Sequence, residues 1–473
     1  MPYNRVTEAI VSELAEIVGE GALITDPERM EPYSHDEVAE PEYAAMPEVV
    51  VRPRTAEEIS KIMKLANREK IPVTPRGAGS GLSGGAVPIY GGILLSVERL
   101  NEILEIDEEN MMVVVEAGVV TNEINEQLAD KGLFYAGYPM SVETCFIGGN
   151  VAENAGGGKA IKYGVTERYV IGLEVVTPTG EILRLGGKRV KDVTGYNLVK
   201  LMVGSEGTLG ILTEVTLKLL PLPKFVADLL VLFPDVKSAI GSVPKLMTMG
   251  GIIPTAIEFM DQLSARTSCE YLNEHLPYQE AGAMLLIEVD GTDEEIVERE
   301  YSTIGELCFK NGAMEVYVAD NATTRERLWS VRRNIAEAFK VISPHQSLED
   351  IVVPPAGIPD IMPELERISE KYGVQLPCYG HAGDGNLHAT IVKDPEDSMV
   401  AWGQKRVEAV QDLYRATRAL GGTISGEHGI GSKRKKDYTE LVADEAEVAF
   451  VRKIKRAVDP NNVLNPGKIF DLE

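Results

Sequence analysis

Cysteine is scarce in this chain: four residues in 473, Cys145, Cys269, Cys308 and Cys378, widely scattered and without a C-x-x-C pair. That spacing excludes a disulfide framework, a zinc ribbon and an iron–sulfur cluster, so any electrons the protein handles travel on a bound organic cofactor. Positive charge is short as well. The 47 Lys and Arg are outnumbered by 73 Asp and Glu, a formal net charge of -26, which argues against nucleic acid because its phosphates would be repelled. Long apolar runs are missing: none approaches the roughly 18 residues of a spanning helix. Charged residues interrupt the stretch 6–18, so it is no signal-peptide core. The expected address is cytoplasmic, and no transmembrane segment is expected.

What is present describes a folded protein, 44% hydrophobic and 25% charged, long enough for two or three cores. The stretch 49–53 reads as a strand, 56–69 as a helix with Ile59, Ile62, Met63 and Leu65 along one side, and 71–74 as a strand. Further strands are expected at 93–97, 112–116, 170–177, 181–185 and 209–219, with a boundary at Pro221-Leu222-Pro223. Beyond it, strands at 225–233, 284–289, 314–318, 350–353 and 376–379 alternate with helices at 236–247, 293–311, 323–341 and 358–372. This is an α+β pattern, its second half built of ferredoxin-like units. Four regions follow: an N-terminal helical segment 1–45, a first domain 46–222, a second domain 223–435, and a helix (445–458) and tail within 436–473 that return to the first domain.

Glycine is concentrated in three loops of the first domain. Arg76-Gly77-Ala78-Gly79-Ser80-Gly81-Leu82-Ser83-Gly84-Gly85 contains G-x-G-x-x-G, but Pro88, Gly91 and Gly92 follow and no helix can form, which rejects a dinucleotide-binding Rossmann unit. A run of backbone N–H groups beside Arg76 remains, a concavity able to hold a diphosphate. In the second loop, 148–158, Gly148, Gly149, Asn150, Ala152, Asn154, Ala155, Gly156 and Gly157 combine small residues with amide side chains and let a planar ligand approach the backbone. The third runs Val203-Gly204-Ser205-Glu206-Gly207-Thr208-Leu209-Gly210.

Half of the six histidines fall in two short motifs, Gly380-His381-Ala382-Gly383-Asp384-Gly385-Asn386-Leu387-His388 and Gly426-Glu427-His428-Gly429. The glycine turn can bring His381 and His388 to one side, and Glu427 adds a hard oxygen, a ligand set that suits zinc, manganese or ferrous iron. His35, His275 and His345 stand alone and read as structural. The run Lys433-Arg434-Lys435-Lys436 reads as a solvated face, or as a patch that steers an anion.

The wording of Pro75-Arg76-Gly77-x-Gly79-x-Gly81, Ile147-Gly148-Gly149-Asn150 through Asn154-Ala155-Gly156-Gly157, Tyr163-Gly164, Gly204-Ser205-Glu206-Gly207-Thr208-Leu209-Gly210 and Asn465-Pro466-Gly467-Lys468 resembles the FAD-binding proteins of the vanillyl-alcohol oxidase (PCMH) type. The histidine motifs narrow the resemblance to the FAD-dependent D-2-hydroxyacid dehydrogenases, such as D-lactate dehydrogenase and the glycolate oxidase catalytic subunit. The resemblance implies a two-subdomain FAD-binding domain and a ferredoxin-like substrate (cap) domain. It implies that the 76–82 loop holds the FAD diphosphate. Residues 148–157 with Pro139, Ser141, Thr144, Gly164, Glu206, Gly207 and Ile211 would line the rest of the cofactor, and Asn465 would close over the flavin. Relatives with covalent flavin carry a histidine in the glycine loop; residues 76–85 have none, so non-covalent FAD is expected.

Oxidising an alcohol with a flavin requires a base for the hydroxyl proton, and His428 beside Glu427 is the candidate. The family assigns that role and makes His381, His388 and Glu427 the metal ligands. It puts the substrate carboxylate on an arginine of the segment 328–333, where Arg332 aligns better than Arg333. Hydroxyglutarate-specific relatives carry a lysine further on that Ser347-Leu348-Glu349-Asp350-Ile351 lacks, which favours a monocarboxylate, D-lactate before glycolate. The implied partner is an electron-transferring flavoprotein or an iron–sulfur subunit, and a homodimer is compatible. A non-catalytic flavin-binding relay subunit and a metal-dependent hydrolase are the competing readings.

Overall fold

The computed structural model describes residues 3–38, 40–319 and 321–472. Met1, Pro2 and Ala39 of the expected segment 1–45 lie outside the described residues. The chain divides into two compact units. The first holds the residues up to Gly156, Val165–Pro221 and the tail from Glu427; the second holds Gly157–Gly164 and Leu222–Gly426.

The first unit contains two larger sheets. In one, the strands run in the order Leu23–Ile24, Val49–Val51, Ile93–Ser96, Val73–Arg76, the last three parallel. Helix Ala56–Glu69 joins two of them. It starts where Thr55 accepts a hydrogen bond from Glu58 N–H, and it buries Ile59, Ile62, Met63 and Ala66, the i, i+3, i+4 stripe of an amphipathic helix. The other sheet is antiparallel, in the order Ile103–Asp107, Met112–Glu116, Ile211–Lys218, Val170–Val176, Ile182–Gly186. The tail returns to this unit: Val73 N–H donates to Val463 O and Asn465 N–H to Val73 O, both at 2.7 Å. The loop expected at 148–158 begins instead as a helix, Ile147–Glu153, capped by left-handed Asn154. Gly148 serves packing: a Cβ on it would lie 2.7 Å from the Ala117 side chain.

The second unit is built on one antiparallel sheet of seven strands, in the order Glu315–Ala319, Phe225–Phe233, Ala283–Gly291, Ala256–Asp261, Cys378–His381, Asn386–Val392, Gln346–Val352. Side chains alternate between its faces. Helices Val236–Gly250 and Glu294–Lys310 pack on one face, where Gly305 approaches Leu229 and Val316. The other face carries polar residues in register: Asp228 opposite Glu288, Glu258 opposite His381, Tyr379 opposite His388, His388 opposite Asp350. The helix expected over 323–341 breaks into Ala322–Arg333 and Ile335–Ile342 at Asn334, whose amide donates to Ser330 O at 2.8 Å; an amide that bonds back to the preceding turn competes with the helical ladder.

Candidate active site

On the polar face of the second unit's sheet, the Gly383-Asp384-Gly385 turn reverses the chain between His381 and His388. Gly385 has φ +88°, and a Cβ there would sit 2.0 Å from Val353 O, so only glycine fits. The two imidazoles come together with ring centroids 5.6 Å apart at 79°. Glu258, fully buried on the neighbouring strand, lies between His381 and Arg332: its Oε1 is 2.6 Å from His381 Nδ1 and its Oε2 is 2.7 Å from Arg332 Nε. Burial alone would push this carboxyl up, but the charges of His381 and Arg332 outweigh it and hold Glu258 below the ordinary carboxylate value.

Arg332 is buried, stacks 5.1 Å over the Tyr379 ring and keeps a buried Nη2 without a hydrogen-bond partner. Arg333 turns outward to Glu326. On the outer strand, Asp350 Oδ1 accepts from Asn386 Nδ2 at 2.7 Å, and its Oδ2 accepts from Ser425 Oγ and Gly426 N–H at 2.9 Å. At the far end of the face, Trp329 Nε1 donates to Asp228 at 3.2 Å. The segment 157–164 closes over Glu288 and Asp290 through Lys159 at 3.0 Å, Lys162 at 2.5 Å and Tyr163 at 2.8 Å. Gly157 and Gly164, both expected around the cofactor, bracket this segment of the second unit. Gly158 faces Glu258 Oε1, where a Cβ would come within 2.6 Å.

In the first unit, three of the expected cofactor residues, Gly77, Gly149 and Asn465, offer backbone or amide groups that a cofactor could meet. Gly77 and Gly149 approach so closely that a Cβ on Gly77 would lie 3.6 Å from Gly149 Cα, while Gly149 itself faces open space. Asn465 donates to Gly85 O at 3.1 Å and to Glu206 O at 2.8 Å, and its Oδ1 is buried without a hydrogen-bond partner. Glycine backbones facing open space and an unsatisfied buried amide oxygen fit a planar, hydrogen-bonding group such as a flavin. Not every expected residue points outward. Arg76 spends its guanidinium on His35 O and Pro32 O, at 2.7 and 3.1 Å. Gly84 N–H is taken by Asp36 at 2.7 Å, Asn150 Nδ2 by Thr121 at 2.7 Å, and Asn154 Oδ1 accepts from Glu167 N–H at 2.9 Å. Ile211 is buried in its strand, whereas Ser141 and Thr144 lie exposed in a turn.

Glu427 and His428 sit in the loop that opens the tail, with His428 Nε2 3.6 Å from Glu427 Oε1. Of the basic run beyond them only Lys436 is exposed, and the other three residues are engaged within the protein. Arg434 is buried and donates to Leu82 O at 3.1 Å and Gly429 O at 3.3 Å, Lys433 pairs with Glu40 at 3.3 Å, and Lys435 pairs with Asp471 at 2.8 Å. A sequence pattern cannot distinguish a cluster of charges from a set of clamps on different segments. Glu258 carried a signal that went unread: a lone acid within the apolar strand Ala-Ile-Glu-Phe-Met, where burial demands a partner.

Two family descriptions match the chain, "FAD binding domain" over residues 47–186 and "FAD linked oxidases, C-terminal domain" over 222–469. The chain belongs to the FAD-linked oxidases, with the FAD-binding domain of that family. It is 42% identical to the glycolate oxidase subunit GlcD of Bacillus subtilis, over 93% of this chain and 92% of that protein. It is 38% identical to the D-lactate dehydrogenase of Anaerostipes hadrus, over 99% and 98%. This chain is thus an oxidoreductase of the D-lactate dehydrogenase and glycolate oxidase group. Its architecture is the α+β fold of the PCMH-type FAD oxidases: p-cresol methylhydroxylase superposes with a TM-score of 0.80 at 20% identity, over 99% of this chain and 98% of that one. Among the described residues no helix is long and apolar enough to cross a membrane.

Proposed function

We propose that this chain oxidises a small D-2-hydroxy acid, D-lactate foremost, to the 2-oxo acid and passes the electrons to a separate protein, an electron-transferring flavoprotein or an iron–sulfur subunit. The observation that carries the reading is the buried triad His381–Glu258–Arg332, a candidate metal ligand and a candidate carboxylate receptor joined by one acid. A substrate carboxylate needs a fixed cation with N–H donors to spare, and Arg332 fits. Glu258 holds its Nε edge and Tyr379 its face, while Nη2 has no protein partner.

In this reading His381 and His388 are the nitrogen ligands of zinc, manganese or ferrous iron, and Glu427 is the oxygen ligand that the resemblance implies. The Glu258 contact occupies His381 Nδ1, which makes Nε2 the ligating atom. FAD, bound without a covalent link by the cradle of Gly77, Gly149 and Asn465, supplies the two-electron acceptor, and the metal supplies the positive charge that acidifies the hydroxyl. Arg332 orients the substrate through its carboxylate. His428 accepts the hydroxyl proton on an imidazole nitrogen as the C2–H bond breaks.

Glycolate is the second reading, favoured by the 42% identity to the Bacillus subtilis subunit. Anaerobic titration of the flavin-loaded protein tests both. D-lactate should bleach the flavin absorbance and L-lactate should not; a higher kcat/KM with glycolate would move the assignment to that acid. An unchanged spectrum with every D-2-hydroxy acid overturns the proposal.

A further inference from the structure

Glu206 offers a second role beside the cofactor cradle. Its backbone is left-handed, φ +50°, a conformation that costs a non-glycine residue of order 1 kcal/mol and persists only where the surroundings over-determine it. Here they do. Glu206 N–H donates to Ala152 O at 2.8 Å, and Glu206 O accepts from Asn465 Nδ2 at 2.8 Å. The side chain is buried and turned to the loop that carries Glu427 and His428: Oε1 accepts Ile430 N–H at 2.8 Å and Oε2 accepts Gly431 N–H at 2.6 Å. Beside it, facing the same glycine, lies the buried Oε2 of Glu153. A Cβ on Gly429, where φ is +81°, would come within 2.1 Å of that atom and 3.2 Å of Glu206 Oε1.

Two acids therefore close on one glycine of the histidine loop. Burial, with Glu206 and Asp36 nearby, keeps Glu153 well above the ordinary carboxylate value, whereas at Glu206 the two N–H groups oppose the effect of burial. Burial raises Glu206 as well, and its two oxygens are the acceptors of both amides.

We propose that Glu206 is a positioning residue for His428: its carboxylate grips the 430–431 backbone and so sets where the imidazole stands, a function distinct from holding FAD. The proposal rests on His428 being the base in the reading above, and its test separates the two. In flavin-loaded Glu206→Gln, amide exchange in a peptide spanning 427–434 should rise on the order of 10-fold or more, since a buried amide that loses its acceptor loses about 1–3 kcal/mol. FAD content and protection of Ile147–Glu153 should stay as in the unaltered protein. Unchanged exchange in 427–434, or loss of flavin with that exchange intact, overturns the proposal whether or not a substrate has been found.

With an active substrate, Glu206→Gln should lower kcat about 10- to 100-fold and leave KM within about threefold, the signature of a misplaced reacting group. Its effect should vanish in a His428→Ala background; full additivity there would show that Glu206 acts elsewhere and overturn the proposal. Gly429→Ala, which drives a methyl into Glu153 Oε2 and against Glu206 Oε1, should reproduce the same increase in exchange; protection equal to the unaltered protein would count against the latch.

Discussion

Glu258 reaches Arg332 from within the sheet, its Oε2 2.7 Å from the guanidinium Nε, while its other oxygen holds His381. One carboxylate thereby fixes both a candidate substrate-binding cation and a candidate metal ligand. Glu258→Gln keeps the shape and removes the charge, so both functions should weaken together: metal affinity should fall about 10- to 100-fold, as for other partners behind a ligating histidine, and KM should rise. Metal titration of chelator-treated protein and steady-state kinetics measure the two effects. A variant with weaker metal binding and unchanged KM would show that Arg332 does not depend on Glu258.

The two neighbouring arginines should differ sharply. Arg332→Lys retains the charge but loses the planar donor edge, and kcat/KM should fall about 10- to 100-fold, because a charge-assisted hydrogen bond is worth about 1.5–3 kcal/mol. Arg333→Ala should stay within about twofold, since that side chain faces outward to Glu326. Equal effects of the two substitutions would remove Arg332 from the substrate site.

No histidine stands in the 76–85 loop, which is the ground for proposing non-covalent FAD. Trichloroacetic acid or boiling should leave the yellow colour in the supernatant. Flavin that stays with the precipitate would show a covalent bond.

Asp228 lies buried opposite Glu288, and its pKa is pushed up to about 8, by burial first and then by the Glu288 charge. A carboxyl whose folded pKa exceeds its unfolded value stabilises the fold at low pH and loses that contribution as pH rises toward the folded pKa. Between about pH 4 and 8 its stabilisation should decline, with a slope approaching about 1.4 kcal/mol per pH unit. Asp228→Asn mimics the protonated form, so its melting temperature should match that of the unaltered protein near or below about pH 4 and exceed it by a growing margin as pH rises to about 8. Parallel curves would place the proton elsewhere.

Local signals determined the elements that the sequence reads well. Helices Ala56–Glu69, Ile358–Tyr372 and Glu445–Val458 and strand Phe225–Phe233 fall where the sequence pattern puts them, because the helices carry amphipathic periodicity and the strand is a short apolar run. Helix Ile147–Glu153 did not show in this way, since its Gly148 answers to Ala117, far earlier in the chain. The break at Asn334 likewise depends on where the two halves must pack.

The chemistry divides along the same line. By itself, the sequence determined the inventory: glycine loops able to admit a flavin, two histidines around a glycine turn, a Glu-His pair, and an arginine on a helix. Only the tertiary structure decided the partnerships, placing Glu258 between His381 and Arg332, turning Glu206 to the histidine loop and making clamps of Arg76 and Arg434. Residue types and short spacings are local properties of a chain. Which buried charge satisfies which is decided by strand register and by contacts more than two hundred residues apart, as between Glu206 and Gly431, and burial makes each such pairing obligatory.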